Sequence, residues 1–191
     1  MADSKKEGGT KEARWTIRPE QGADAAAIDA LLARSFGPGR YAKSAYRLRE
    51  GVAAEPGLGF VAIEDGALRG SVRFWPVAVG AACALLLGPL AVETEGRGRG
   101  IGIALMERGI EAAHATPYSC ILLVGDEPYY ARVGFSKLPP GRVDFPGPVD
   151  QSRILGLSLK PGALLTLIGH IRRARIDEPV CADGAALGDP T

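Results

Sequence analysis

The 191-residue chain has few cysteines, few aromatic residues and almost no net charge. Its three cysteines, Cys83, Cys120 and Cys181, are odd in number and far apart, which fits neither a disulfide framework nor a zinc site. We therefore expect a reducing compartment, the cytoplasm, and no bound metal. Lys and Arg number 23 and Asp and Glu 22, so no overall field attracts a polyanion such as nucleic acid.

The chain also lacks an apolar segment that indicates a secretory signal or a membrane span. Residues 1–12 mix Lys with Asp and Glu, and they predict a disordered lead. The segment from Pro76 to Val92 is uncharged for 17 residues, but a span needs ~20 and glycines and a proline interrupt this one. We interpret it as buried β-strands.

The composition and length indicate one globular domain with tails. Apolar residues make up 46% of the chain, a balance typical of a soluble protein with an aliphatic core. At 191 residues the chain is too short for two full domains, so we place a single domain at residues 13–176. Residues 177–191 carry acids without Lys or Arg, and they predict a mobile acidic tail.

Hydrophobic periodicity and turn signals predict an alternation of strands and helices. The predicted strands cover residues 14–19, 59–64, 68–79, 83–92, 119–124, 153–159 and 164–168. The predicted helices cover residues 23–36, 42–50, 100–115 and 128–133. Asp65-Gly66 suits a type I′ turn and predicts a hairpin between the second and third strands.

The most informative segment is Leu85 to Gly102, in which a strand passes through a glycine-rich turn directly into a helix. Free amides at a helix N-terminus bind anions, and glycines let a phosphate approach the backbone. The glycines at 98, 100 and 102 lack the spacing of a dinucleotide-binding fingerprint, and no glycine is followed by Lys-Ser or Lys-Thr as in a P-loop. The turn predicts a phosphate ligand other than NAD or a nucleoside triphosphate. A purely structural turn is the alternative.

The residues of this turn resemble a known family. Residues 97–102, Arg-Gly-Arg-Gly-Ile-Gly, are similar to the Arg/Gln-x-x-Gly-x-Gly/Ala signature of the GNAT family of acyl-CoA N-acyltransferases. Residues 122–135 resemble the family's next strand, short helix and Tyr-x-x-x-Gly-Phe ending, and their Gly-Asp-x-x-Tyr-Tyr run resembles the YhbS-like predicted acetyltransferases. The resemblance covers residues 14–137 and only loosely the weaker strands of 138–176.

The resemblance implies an α+β fold and a cofactor. The implied GNAT fold has a mixed, mostly antiparallel twisted sheet with helices on both faces, split between two central strands to form a cofactor cleft. Acetyl-CoA is the implied co-substrate, with its pyrophosphate in the glycine turn and its pantetheine arm along the preceding strand. The implied cofactor-binding residues are Leu90, Ala91, Val92, Arg97, Gly98, Arg99, Gly100, Ile101, Gly102, Asp126 and Tyr130.

The implied reaction is direct transfer of an acetyl group from acetyl-CoA to a primary amine of a small molecule or protein, within a ternary complex. Such a transfer passes through an oxyanion and expels a thiolate, so it needs N–H donors and a proton source. Main-chain N–H groups near Val92 are the expected donors. Tyr130 is the expected general acid, because a tyrosine with its ordinary pKa of ~10 is protonated at neutral pH; a packing aromatic is the alternative.

The sequence names no general base. Glu64, Glu93, Glu95 and Asp126 lie at strand ends, but such positions are more typical of exposed or capping carboxylates. Cys120 has no histidine partner at a readable position and fits a buried core residue better than a nucleophile.

Two further questions stay open at this point. Five basic residues and no acid lie between positions 34 and 49, which fits either a solvated helix face or a preference for an anionic acceptor. They are Arg34, Arg40, Lys43, Arg47 and Arg49. The alternatives to an acetyltransferase are a coenzyme A-binding sensor and an acyltransferase for longer acyl chains. The chain is expected to be a monomer or a homodimer.

Overall fold

The structure, a computed structural model, describes residues 15–39 and 44–174. The predicted lead and acidic tail, together with Arg40, Lys43 and Cys181, lie outside these residues. The strands are β1 (Trp15–Pro19), β2 (Gly59–Glu64), β3 (Ala67–Val79), β4 (Ala82–Val92), β5 (Cys120–Val124), β6 (Ser136–Lys137), β7 (Val143–Asp144), β8 (Ile154–Ser158) and β9 (Gly169–Arg173). The α-helices are α1 (Ala25–Phe36), α2 (Ser44–Arg47), α3 (Ile101–Ala113), α4 (Glu127–Tyr130) and α5 (Ala163–Thr166).

The strands form a mixed, mostly antiparallel sheet in the order β1-β2-β3-β4-β5-β8-β6. Strands β1 to β4 pair antiparallel in sequence order, whereas β4 and β5 are parallel. The predicted hairpin joins β2 to β3, and Asp65 and Gly66 have the positive φ angles, 51° and 75°, that a type I′ turn requires. Strand β9 pairs with the end of β3, and β7 pairs with β9.

Helices cover both faces of the sheet. Successive residues of a strand point to opposite faces, so a strand with apolar residues at adjacent positions packs against helices on both sides. In β2, Phe60 and Ala62 pack in the cluster that holds α3, whereas Val61 packs with α1. Helix α3 is also the crossover that a parallel β4–β5 pair needs. The α+β prediction is therefore confirmed, and the uncharged segment 76–92 forms strands rather than a span. None of the described helices combines the length and apolarity needed to cross a membrane.

The β4–β5 pairing covers only three positions, from Ala84 opposite Cys120 to Leu86 opposite Leu122. Beyond them the register of β4 against β3 shifts around Gly88 and Pro89, which marks a bulge. A bulge bends the strand that carries it. The two central strands consequently separate, and residues 87–92 of β4 keep β3 on one side while the other side faces a cleft.

The C-terminal part corrects one predicted element. The prediction of a strand over residues 164–168 is wrong, because the short helix α5 begins after Gly162 and takes in residues 164–166 of this segment. An apolar run of this length has the composition of a buried strand, but periodicity does not separate a strand from a helical turn over so few residues. The strand is the next segment, β9, where the buried Ile171 pairs with Val79 of β3.

Gly109 of α3 gives a test of how tightly this helix packs on the sheet. In an exposed helix, Gly→Ala stabilises by about 1 kcal/mol. Here an added Cβ would lie 2.3 Å from the Phe74 ring of β3. We expect Gly109→Ala to lower the free energy of unfolding by about 1–3 kcal/mol through overpacking, measured by urea denaturation.

Gly22→Ala is the matched control, because an added Cβ there meets nothing within 4 Å. Its stability should remain within about 0.5 kcal/mol of wild type. A Gly109→Ala variant as stable as this control would contradict the tight contact between α3 and β3.

Candidate active site

The glycine-rich turn leads from β4 into α3 with its amide groups open. Gly98 and Gly100 both have left-handed φ angles, 75° and 87°, and Gly100 is the residue that caps α3. In the described chain, the amides of Gly98, Gly100 and residues 101–103 donate to no main-chain carbonyl. These donors, at the positive end of a 13-residue helix, can bind a phosphate.

The side chain of Arg99 points away from this turn and binds Glu64 at the end of β2. Two guanidinium nitrogens donate to the two carboxylate oxygens, one of them at 3.0 Å, and the bond raises the pKa of Arg99. Arg69 adds a second contact, with its Nε 3.4 Å from a Glu64 oxygen. The expectation that Glu64 is exposed or a cap is thereby wrong: its residue is 7% exposed, and it anchors the turn to the sheet.

Tyr130 lies at the end of α4, against the open end of the cleft. Its ring lies so close to Gly125 that an added Cβ there would be 2.3 Å from a ring carbon, and Phe135 packs edge-on at 6.1 Å. Burial, with smaller contributions from Tyr129 and Asp126, raises the pKa of Tyr130 to about 12. The phenol is therefore held in place and fully protonated at neutral pH.

Two adjoining cavities, about 390 and 600 Å³ in volume, lie at the separation of β4 and β5. They share Phe36, Leu90 and Tyr130 as walls. The smaller cavity lies over the glycine turn. The larger one lies between α1, the α2 segment (residues 44–51) and residues 87–90 of β4. Two ligands, one in each cavity, would therefore meet beside Tyr130.

Nine of the eleven predicted cofactor-binding residues line the smaller cavity. They are Leu90, Ala91, Val92, Arg97, Gly98, Gly100, Ile101, Gly102 and Tyr130. The other two do not line it. Arg99 binds Glu64, and the Asp126 carboxylate is 78% exposed and lies 3.2 Å from Arg153.

Six further residues, which sequence reasoning missed, also line the smaller cavity: Ser35, Phe36, Gly96, Ile103, Tyr129 and Arg132. The hydroxyl of Tyr129 lies where a side chain at Gly102 would be, 2.1 Å from an added Cβ. This close approach gives Gly102 a steric role as well as a place in the turn. The sequence offers only the adjacent tyrosines as a signal, and nothing in it brings the end of α1 to this cavity.

The other candidate acids and the cysteine have structural partners or are remote. Glu93 accepts a hydrogen bond of 2.5 Å from Arg34, whereas the Glu95 side chain is 85% exposed. Cys120 is fully buried, and burial raises the pKa of its thiol. A buried thiol with a raised pKa is a poor nucleophile, which agrees with a core residue.

Comparison with known proteins identifies the family. The model of the acetyltransferase (GNAT) domain matches residues 55–137. The uncharacterized N-acetyltransferase YhbS of Escherichia coli K12 is 38% identical over 122 residues, which are 62% of this chain and 72% of YhbS. The chain belongs to the GNAT acetyltransferase family. The predicted class, an acyl-CoA-dependent N-acyltransferase, is confirmed with it.

Two solved GNAT structures share the fold. The crystal structure of E. coli YhbS in complex with CoA superposes with a TM-score of 0.70 at 33% identity, over 84% of this chain and 90% of that one. A GNAT family acetyltransferase from Brucella melitensis, in complex with acetyl-CoA, superposes with a TM-score of 0.63 at 27% identity, over 84% of this chain and 96% of that one. The predicted GNAT fold is confirmed.

The ion pair between Glu64 and Arg99 predicts that the conformation of the glycine turn depends on a residue of β2. Glu64→Gln leaves Arg99 and Arg69 facing a neutral amide, so we expect a loss of about 1.5–3 kcal/mol of stability, the usual contribution of hydrogen bonds to a charged group. We also expect faster amide hydrogen exchange at residues 97–102, measured by mass spectrometry.

Glu95→Gln is the matched control, because this exposed carboxylate lies 3.7 Å from Arg69 in a contact that solvent screens. Its stability and exchange should match wild type. Unchanged exchange of the turn in Glu64→Gln would show that the glycines hold their conformation without the anchor.

Proposed function

We propose that this protein transfers the acetyl group of acetyl-CoA to a primary amine, by direct attack within a ternary complex. The observation that carries this proposal is the meeting of the two cavities at Leu90 and Tyr130. One cavity has the donors for a pyrophosphate, and the other, which is also open to solvent, has space for the acceptor. Binding both reactants at one point supplies much of the rate through proximity.

The cofactor side of the proposal is supported by the glycine turn and by the open edge of β4. The pyrophosphate would accept hydrogen bonds from the amides of Gly98, Gly100 and residues 101–103, and Arg97 adds positive charge at the same cavity. The pantetheine arm carries amides, and the part of β4 that faces the cleft can pair with them as a further strand would. The CoA and acetyl-CoA complexes of the two relatives are consistent with this ligand.

The chemical step needs an oxyanion site and a proton at sulfur. In the proposed reaction the amine nitrogen attacks the thioester carbon, the oxygen gains charge beside main-chain N–H groups near Val92, and the C–S bond then breaks. Tyr130 donates its hydroxyl hydrogen toward the departing sulfur. Full transfer from a phenol of pKa about 12 to a thiol of pKa ~8.5 is uphill, so we expect Tyr130 to regain a proton from the ammonium nitrogen as it gives one up.

Calorimetric titration with acetyl-CoA, coenzyme A and NAD tests the cofactor assignment. We expect micromolar binding of acetyl-CoA and coenzyme A and no binding of NAD. Gly100→Asp should abolish binding, because it places a carboxylate where the phosphate would lie and puts a side chain at a φ of 87°. Equal binding by wild type and variant, with both folded, would contradict the turn as the site.

Tyr130→Phe tests the catalytic role. We expect kcat for acetyl transfer to fall about 100-fold or more, since a positioned proton donor contributes that much, while the Kd for coenzyme A remains close to wild type. Tyr129→Phe, on the cofactor wall, is the comparison and should retain the larger part of kcat. A coenzyme A-binding sensor would instead bind coenzyme A and show no turnover in any variant.

The pH profile gives a second measure of Tyr130. Because burial raises its pKa to about 12, the rate should rise with pH as the acceptor ammonium loses its proton, without an alkaline fall below about pH 11. A falling limb near pH 9 would indicate that another group, of ordinary pKa, supplies the proton.

A further inference from the structure

Among the described residues that line the larger cavity, one cationic side chain has no carboxylate partner. Arg49 follows α2 and lines this cavity, and its Nε donates to the carbonyl of Ala45 at 2.9 Å. Among the described residues, no carboxylate oxygen lies within 4 Å of its guanidinium nitrogens. The bond to Ala45 fixes the plane of the guanidinium and leaves its two terminal nitrogens for a ligand.

The other two arginines that line the cavity are already neutralised. Arg73 binds Glu20 through two hydrogen bonds of 2.7 and 2.5 Å, and Arg153 lies 3.2 Å from Asp126. The cavity's carboxylates are elsewhere engaged or exposed. Glu50 lies 3.8 Å from Arg173, Asp150 accepts hydrogen bonds from Ser152, and Asp29 is exposed on α1.

Arg49 also differs from the other described arginines of the basic segment 34–49. Arg34 binds Glu93, directly after β4, and Arg47 is exposed to solvent and donates to the carbonyl of Pro146, whereas Arg49 is partly buried. Burial without a counter-charge lowers the pKa of Arg49 to about 10, which still leaves it charged at neutral pH. A partly buried cation without a counter-charge carries a desolvation cost that an anionic ligand would offset.

We propose that Arg49 binds an anionic group of the acceptor, so that the protein acetylates small amines that carry a carboxylate or a phosphate. The two terminal nitrogens of a fixed guanidinium form the fork that binds such groups through two hydrogen bonds. That the ligand is the acceptor rests on the proposed acetyl transfer. The anion site itself depends only on Arg49 and the cavity.

The position of Arg49 limits the length of the acceptor. One terminal nitrogen lies 3.9 Å from the place of a Cβ on Gly88, and Leu90, the wall shared with the cofactor cavity, follows two residues later. Two residues of chain span at most about 7 Å. The anionic group and the reacting nitrogen are therefore separated by a few bonds, which is the size of an amino acid or an aminoalkyl phosphate rather than of a long polyamine.

The first experiment measures acetyl transfer to amines matched in length but not in charge. The probes are 4-aminobutyrate, 3-aminopropyl phosphate, butylamine and 1,4-diaminobutane, with thiol release from acetyl-CoA as the readout. We expect kcat/KM at least tenfold higher for the two anionic amines than for the other two. Arg49→Gln should abolish this preference by raising KM for the anionic amines, Arg49→Lys should restore part of it, and Arg47→Gln should leave it unchanged.

The second experiment separates this inference from the proposed function. Glutarate and inorganic phosphate, which carry no amine, are titrated against protein saturated with coenzyme A, using wild type, Arg49→Gln and Arg47→Gln. We expect at least one anion to bind wild type and Arg47→Gln, with at least tenfold weaker binding to Arg49→Gln. Which anion binds more tightly distinguishes a carboxylate from a phosphate site.

Each outcome is decisive. Anion binding lost in Arg49→Gln, without turnover of any amine, supports the anion site and overturns the proposed acetyl transfer to small amines. Turnover that favours butylamine or the diamine, or a preference that Arg49→Gln leaves intact, overturns the role of Arg49 while acetyl transfer stands. No turnover and no anion binding by the folded wild type overturns both.

Discussion

The early end of the pairing between β4 and β5 is the constraint on which the site depends. Three paired positions hold the two strands together, and then the bulge at Gly88 and Pro89 turns β4 away. The separation opens one edge of β4 toward the cleft and gives Tyr130 a place beside it. Had the ladder continued to Val124, the strand edge would be occupied and the two cavities would not meet.

Local signals made most of the fold predictable. The Asp65-Gly66 turn, the period of α3 and the apolar run of β5 depend on residues close in the chain, and the structure agrees with each. The prediction failed at residues 164–168, where a short apolar run fits a strand and a helical turn equally well. The glycine turn was also predictable, because its main-chain amides and left-handed φ angles depend on glycine residues that are visible in the sequence.

Side-chain pairing across the sheet was not predictable in the same way. Arg99 looked like a phosphate ligand from its place in the turn, but it is bound by Glu64, which is 35 residues away in the chain and adjacent only once β2 and α3 have packed. Likewise, the basic segment 34–49 has a uniform charge in sequence. Only the fold shows that Arg34 has a partner, that Arg47 lies on the surface and that Arg49 lines a cavity.

The two cavities are built from different parts of the polypeptide. The part of the smaller cavity formed by the glycine turn presents main-chain amides and glycines, whereas the larger cavity presents arginine, tryptophan and carboxylate side chains from α1, the α2 segment, β3 and the loops. Most mutations replace a side chain and leave the main-chain N–H in place, substitution by proline being the exception. Over evolutionary time one half of such a cleft can therefore remain fixed while single substitutions remodel the other, so that a lineage acquires new acceptors without rebuilding the site of its donor.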